Sequence, residues 1–171
     1  MMRLTTDFFQ KDVLEVAPNL IGKELYRKFD QNLIKSYIIT ETEAYRGEED
    51  LACHACKGKT VRTEVMYRHG GVLYVYLIYG MYWMLNFVTG KLDNPQAVLI
   101  RCLEGFSGPG KIGRELKLDK SFYGESLGLS DRLWIEDHGI PNDYKTGIRI
   151  GIDYAGEFWK NKPWRYIKNK D

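Results

Sequence analysis

The sequence predicts an α+β fold: a single domain over residues 1–171 with a curved, largely antiparallel β-sheet, a protruding β-hairpin and surrounding helices. Three observations point there. Strand-like runs outnumber helix-like ones, and the clearest two, VLYVYLI (72–78) and YWMLNFV (82–88), flank a glycine as a hairpin does. The apolar share of 44% over 171 residues supplies a core for one domain. No repeat, low-complexity segment or long linker divides the chain.

In chain order, TTDFFQKDVLEVAPNLIGKEL reads as a helix capped by Thr6 or Asp7, with Phe8, Val13, Leu14 and Val16 on its apolar face. Pro18 is expected to interrupt it and Gly22 to mark its stop. LIKSYIITETEAY (33–45) and AVLIRCLEG (97–105) read as strands, and GPGKIGRELKL (108–118) as a short helix with Pro109 near its first position. RLWIED and GIRIGI are further strand candidates. The terminal WKNKPWRYIKNKD, with Lys160, Lys162, Arg165, Lys168 and Lys170, reads as a solvated tail that could face phosphates.

Residues 69–90 carry no Asp, Glu, Lys or Arg. A membrane span needs about 20 mostly apolar residues, and Val72–Val88 is shorter and diluted by Gly80, Asn86 and tyrosines, so no membrane association is expected. A core hairpin fits better, but it leaves Tyr79, Gly80 and Met81 at a turn, where polar residues are the rule. An apolar tip on a stiff hairpin wants an apolar partner.

The net charge of +2 permits nucleic-acid binding without arguing for it. MMRLTTDFFQKDV lacks the apolar segment of a signal peptide, and three cysteines form no disulfide framework, so a reduced, cytoplasmic protein is expected. Cys53, His54 and Cys56 offer three metal ligands, but Cys102, His69 and His138 supply no second pair, so no metal or other cofactor is expected.

In TETEAY (40–45), strand alternation turns Glu41, Glu43 and Tyr45 to one side. Paired carboxylates raise each other's proton affinity, and one so tuned can act as a general base on water. Arg101 interrupts the apolar AVLIRCL and needs an acidic partner, for which Glu43 or Glu41 is the natural candidate. Asn86 interrupts YWMLNFV and needs hydrogen bonds. With His54 and the tyrosines these residues can line a pocket for a flat polar ligand.

ETEAY (41–45), the EED…H segment ending at His54, RTEVMY (62–67), LYVYLIYGMYWMLN (73–86), AVLIR (97–101), GPGK (108–111), KSF (120–122) and RIGI…AGE (149–157) occur in that order. In these stretches the chain resembles the alkyladenine (3-methyladenine) DNA glycosylase family, in its bacterial-type form. The resemblance implies a monofunctional enzyme of DNA base-excision repair. It would flip a damaged purine (3-methyladenine, 7-methylguanine, hypoxanthine or ethenoadenine) from double-stranded DNA on the minor-groove side. It would then hydrolyse the N-glycosidic bond with activated water, without a lyase step or a metal. Glu43 would be the general base. Arg101 and His54 would line the site around the water, and the backbone carbonyl of Ile150 would help to hold it. Tyr45, His54 and Tyr76 would sandwich the flipped base, and Asn86 would crowd the exocyclic amine of guanine. Tyr79, with Met81 beside it, would enter the duplex in place of the extruded nucleotide. A monomer in the cytoplasm, associated with a bacterial nucleoid, is implied. Phosphate contacts are expected from Lys57, Lys59 and Arg62 of KGKTVR and from Lys111. The chain departs from the family at Thr60-Val61-Arg62, where many members read Thr-Pro-Arg, so this loop is expected to be freer.

Overall fold

Ten strands, all paired antiparallel, form the frame of the protein in a computed structural model that describes residues 2–169. They are β1 (Met2–Arg3), β2 (Glu24–Lys28), β3 (Ile34–Arg46), β4 (Leu73–Ile78), β5 (Tyr82–Thr89), β6 (Gln96–Leu103), β7 (Phe106–Ser107), β8 (Leu133–Asp137), β9 (Tyr144–Gly147) and β10 (Arg165–Lys168). The main path runs β1-β8-β2-β3-β6-β5-β4. The long strand β3 is its pivot: its first half pairs with β2, and its second half lies between β6 and β10. Four short helices, α1 (Thr6–Phe9), α2 (Val13–Asn19), α3 (Pro109–Glu115) and α4 (Gly156–Lys160), complete an α+β architecture.

Strand alternation sorts the side chains onto two faces. Thr42 and Ala44 of β3, Leu73 and Val75 of β4, Leu85 and Phe87 of β5, and Val98 and Ile100 of β6 are buried on one face; the apolar ones join the main core with α2 and α3. Thr42 fastens α2 there by donating to the Ala17 carbonyl at 2.9 Å. The residues between them face the other way: Glu43 and Tyr45, Tyr74 and Tyr76, Asn86, Leu99 and Arg101. Register then aligns them. Arg165 pairs with Glu43, Glu43 with Leu99, Leu99 with Asn86 and Asn86 with Tyr74, one row across five strands.

Helix α3 braces the hairpin formed by β4 and β5. It packs so closely that a Cβ on Gly113 would lie 1.9 Å from the Trp83 carbonyl oxygen, and one on Gly110 would lie 2.9 Å from the Tyr82 ring. Pro109 begins the helix as its sequence predicts.

Four expectations need correction. The N-terminal helix is two helices, broken at Gln10–Asp12; Asp12, not Thr6 or Asp7, supplies a side-chain cap, accepting from the Leu14 amide at 2.9 Å. Pro18 lies inside the last turn of α2 instead of interrupting it. GIRIGI is not a strand: β9 ends at Gly147, and the Ile150 amide bonds to a carboxylate rather than to a ladder. The basic tail is not simply solvated, because Arg165–Lys168 pairs with β3 and β9 and Tyr166 is buried; Lys170 lies outside the described residues. No helix among the described residues is long and apolar enough to cross a membrane.

Candidate active site

The polar face of β3–β6 floors a cavity of about 620 Å³ lined by Tyr45, His54, Tyr76, Asn86, Arg101 and Ile150, among others. That volume lies within the usual range of small-molecule clefts, about 300–1,000 Å³. Glu43 lies beside it, its side chain fully buried. The carboxylate accepts from the Tyr45 hydroxyl at 2.8 Å and from the Ile150 amide at 2.8 Å, and Arg101 Nη1 stands 3.5 Å away. Burial pushes its pKa above the ordinary value, while Arg101, the Ile150 amide, Tyr45 and Arg149 pull the other way. Burial therefore raises its proton affinity, not the neighbouring carboxylate expected from TETEAY. Glu41 does share the face of Glu43, but its charge is taken up by Arg101 Nε at 3.2 Å and Arg165 Nη1 at 3.0 Å. Arg101 thus has both of its anticipated partners.

Aromatic side chains wall the cavity. His54 opens a short 3-10 turn (His54–Lys57), with its ring 4.7 Å from that of Tyr76 and Nδ1 2.8 Å from the Tyr74 hydroxyl. Burial, with Arg62 and Lys57 adding repulsion, lowers the His54 pKa to about 4, so the ring is neutral at pH 7. Burial likewise raises the Tyr76 pKa to about 12, and holds the Tyr45 phenol well above its ordinary value. Asn86 is buried and donates to the Tyr74 carbonyl at 3.2 Å.

The hairpin tip stands clear of the body. Tyr79 is 84% exposed and Met81 62% exposed. Tyr79 (φ 52°) and Gly80 (φ 65°) are both left-handed, and the Met81 amide closes the turn onto the Ile78 carbonyl at 3.2 Å. For tyrosine that conformation costs about 1–2 kcal/mol.

Lys57 and Lys111 are exposed, on the His54 turn and on α3. Lys59 sits 5.5 Å from the Tyr67 ring, and Arg62 turns inward, 4.9 Å from the Tyr76 ring. The loop that carries Val61 is tied by its own threonines: the Thr60 amide donates to Thr63 Oγ1 at 2.9 Å, and the Thr63 amide to Thr60 Oγ1 at 3.2 Å. Among the described residues, no group of three or more His, Cys, Asp or Glu side chains is placed to hold a metal.

Two residues that sequence reasoning passed over complete the site. Arg149 donates to both carboxylate oxygens of Asp50, at 2.6 and 2.9 Å, and to the Ala44 carbonyl at 3.0 Å. Its guanidinium lies 4.9 Å from the Tyr45 ring. The pair backs the Tyr45 wall and leads into Ile150. The signal was present in RIGI: a charged residue inside an apolar run, the same feature that singled out Arg101.

Comparison with known proteins identifies the family. The Methylpurine-DNA glycosylase (MPG) family matches residues 7–107 and 104–171. The chain is 44% identical to a Borreliella burgdorferi protein named "Putative 3-methyladenine DNA glycosylase", over 95% of this chain and 94% of that one. Proteins of the same name from Methanocella arvoryzae (42% identical; 97% and 92%) and Psychrobacter cryohalolentis (41%; 94% and 89%) are similarly close. Two matches that together span nearly the whole chain, with relatives above 40% identity over most of their length, leave one conclusion: the chain belongs to the methylpurine-DNA glycosylase family and is a DNA glycosylase of DNA repair.

Proposed function

We propose that the enzyme hydrolyses the N-glycosidic bond of a damaged purine flipped out of double-stranded DNA, with Glu43 as the general base. The observation that carries this reading is a fully buried carboxylate, of raised proton affinity, beside a cavity walled by Tyr45, His54 and Tyr76. Water attacks C1′ of the deoxyribose and gives its proton to Glu43, while the bond electrons leave with the purine nitrogen. The product is an abasic site, with no covalent link to the protein and no lyase step. The Glu43 charge also stabilises the oxocarbenium character that develops on the sugar. The Ile150 amide and the Tyr45 hydroxyl fix one carboxylate geometry, so little reorganisation is needed during reaction. The Ile150 carbonyl and Arg101 help to hold the water.

Tyr45, His54 and Tyr76 sandwich the base. Asn86, held to the Tyr74 carbonyl, crowds the exocyclic amine of guanine. Tyr79 enters the minor groove with Met81 beside it and fills the gap left by the nucleotide, which offsets part of the few kcal/mol that flipping costs. Lys57, Lys59, Arg62 and Lys111 supply backbone contacts. A cationic base such as 3-methyladenine leaves as a neutral purine; 7-methylguanine behaves alike, and hypoxanthine and ethenoadenine are the neutral substrates. The enzyme acts as a monomer in the cytoplasm, on the nucleoid.

Single-turnover release of base from duplexes carrying hypoxanthine, ethenoadenine or 7-methylguanine tests this directly. Wild type releases base and Glu43→Gln does not, although it still binds. Tight binding without release from any duplex would instead leave a lesion-binding protein.

A further inference from the structure

We infer that Glu41 and Arg165 are positioning residues for the reaction at Glu43: Glu41 holds the Arg101 guanidinium beside the base without letting it close onto it, and Arg165 ties the same carboxylate to the segment that carries Ile150. The inference rests on the reading of Glu43 as the base.

Glu41 Oε1 accepts from Arg101 Nε at 3.2 Å and from Arg165 Nη1 at 3.0 Å, and Oε2 accepts from the Cys102 thiol at 3.4 Å. Arg101 Nη1 is 3.5 Å from Glu43 Oε1, an oxygen already bonded to the Ile150 amide. Arg101 therefore leans toward Glu41. An arginine facing one carboxylate tends to close on it with two parallel hydrogen bonds. Glu41 prevents that on Glu43 by occupying Nε. A fault in the sheet places it for the task. Ile39 faces Leu103, Glu41 faces Cys102 and Thr42 faces Ile100, so the β3–β6 register slips on both sides of Glu41. Bulges of this kind re-aim a side chain.

Arg165 extends the latch. While Nη1 holds Glu41, Nε donates to the Ile148 carbonyl at 2.8 Å, two residues before the amide that anchors Glu43. A planar fork can serve both acceptors at once, whereas a lysine presents a single point charge. The three side chains are only 14–22% exposed, so solvent screens the network weakly. The charged and titratable groups that bear on Glu43 are Glu41 and Tyr45 from β3, Arg101 from β6, Tyr76 from β4, Arg149 from the segment after β9 and Arg165 from β10.

The test is the pH profile of single-turnover base release from a hypoxanthine duplex by wild type, Glu41→Gln, Arg165→Lys and Glu43→Gln, with thermal stability and duplex affinity measured in parallel. In Glu41→Gln, Arg101 settles on Glu43 and weakens its hold on a proton. The acid limb then moves down by about one pH unit, and the plateau rate falls roughly 10- to 100-fold with duplex affinity unchanged. Arg165→Lys still pairs with Glu41 but releases Ile148, so its plateau falls without a shift of the limb. A wild-type limb in Glu41→Gln, even with a lowered melting temperature, would show a merely structural role and overturn the inference. A wild-type plateau in Arg165→Lys would remove Arg165 from it. Glu43→Gln separates the two levels. If it releases base at the wild-type rate, the assignment of the base itself fails; if it is inert while Glu41→Gln behaves as wild type, only the positioning role fails.

Discussion

Arg149 and Asp50 form an ion pair sealed from solvent, with both side chains fully buried and two hydrogen bonds of 2.6 and 2.9 Å between them. Asp50 also accepts from the Arg46 and Ala52 amides, at 3.0 and 3.1 Å, so one carboxylate organises the turn after β3 and the arginine behind the Tyr45 ring. Asp50→Asn leaves a buried charge without its partner and should cost about 3–5 kcal/mol. The midpoint of denaturant unfolding checks this; a loss below about 1 kcal/mol, typical of a surface pair, would mean that the pair does not hold the wall.

Tyr79 sits in the left-handed region, at φ 52°. Asn tolerates the left-handed region, so Tyr79→Asn should leave stability unchanged or raise it by up to about 1 kcal/mol. Base release from a duplex should fall roughly tenfold or more, because the extruded nucleotide loses its substitute in the stack. Paired melting curves and single-turnover rates give both numbers, and a variant as fast as wild type would argue against insertion.

Gly113→Ala has no room for its methyl group, since the obstacle is the Trp83 backbone and not a side chain that can swing away. We expect a loss of about 1–3 kcal/mol, together with slower action on duplexes as the hairpin base is displaced. A neutral result in chemical denaturation would contradict the tight seat of α3 on β5.

The neutral His54 predicts a pH dependence. Its pKa falls from about 6.5 in the unfolded chain to about 4 in the folded one, so the unfolded state binds the proton first. The stability this lends is complete above pH ~6.5 and drains away as pH falls toward 4. His54→Asn should flatten that slope in denaturation series run from pH 7 to pH 4. An NMR titration of the His54 ring near 6.5 would refute the assignment.

Glu43 has the opposite sign. Its folded pKa is raised, so the ionised form that base chemistry needs is the form folding disfavours. Glu43→Gln should therefore melt higher than wild type at pH 7 to 8, with the difference shrinking as pH falls toward the ordinary carboxylate range. Equal melting temperatures throughout would mean that burial is offset in full by Arg101, Tyr45 and the Ile150 amide.

The order of residues along each strand was enough to set the faces of the sheet. Period-two alternation along TETEAY, YVYLI and VLIR set Glu43 and Tyr45, Tyr76, and Arg101 on the side opposite the apolar core, and YWMLNFV did the same for Asn86. It marked the hairpin and its turn as well, because strand patterning and an intervening glycine are local signals. How the charges are used depends on contacts that only the folded chain makes. Ile148–Ile152 carries a strand-like pattern, yet its Ile150 amide is claimed by a carboxylate 107 positions away. The basic tail becomes a strand because β3 offers it a free edge, and it brings Arg165 to Glu41 across 124 positions. Glu43 holds its proton more tightly through burial, not through the adjacent glutamate that the sequence sets beside it. Side-chain direction follows from a residue's own backbone, whereas proton affinity and charge pairing depend on which distant groups the fold packs around it.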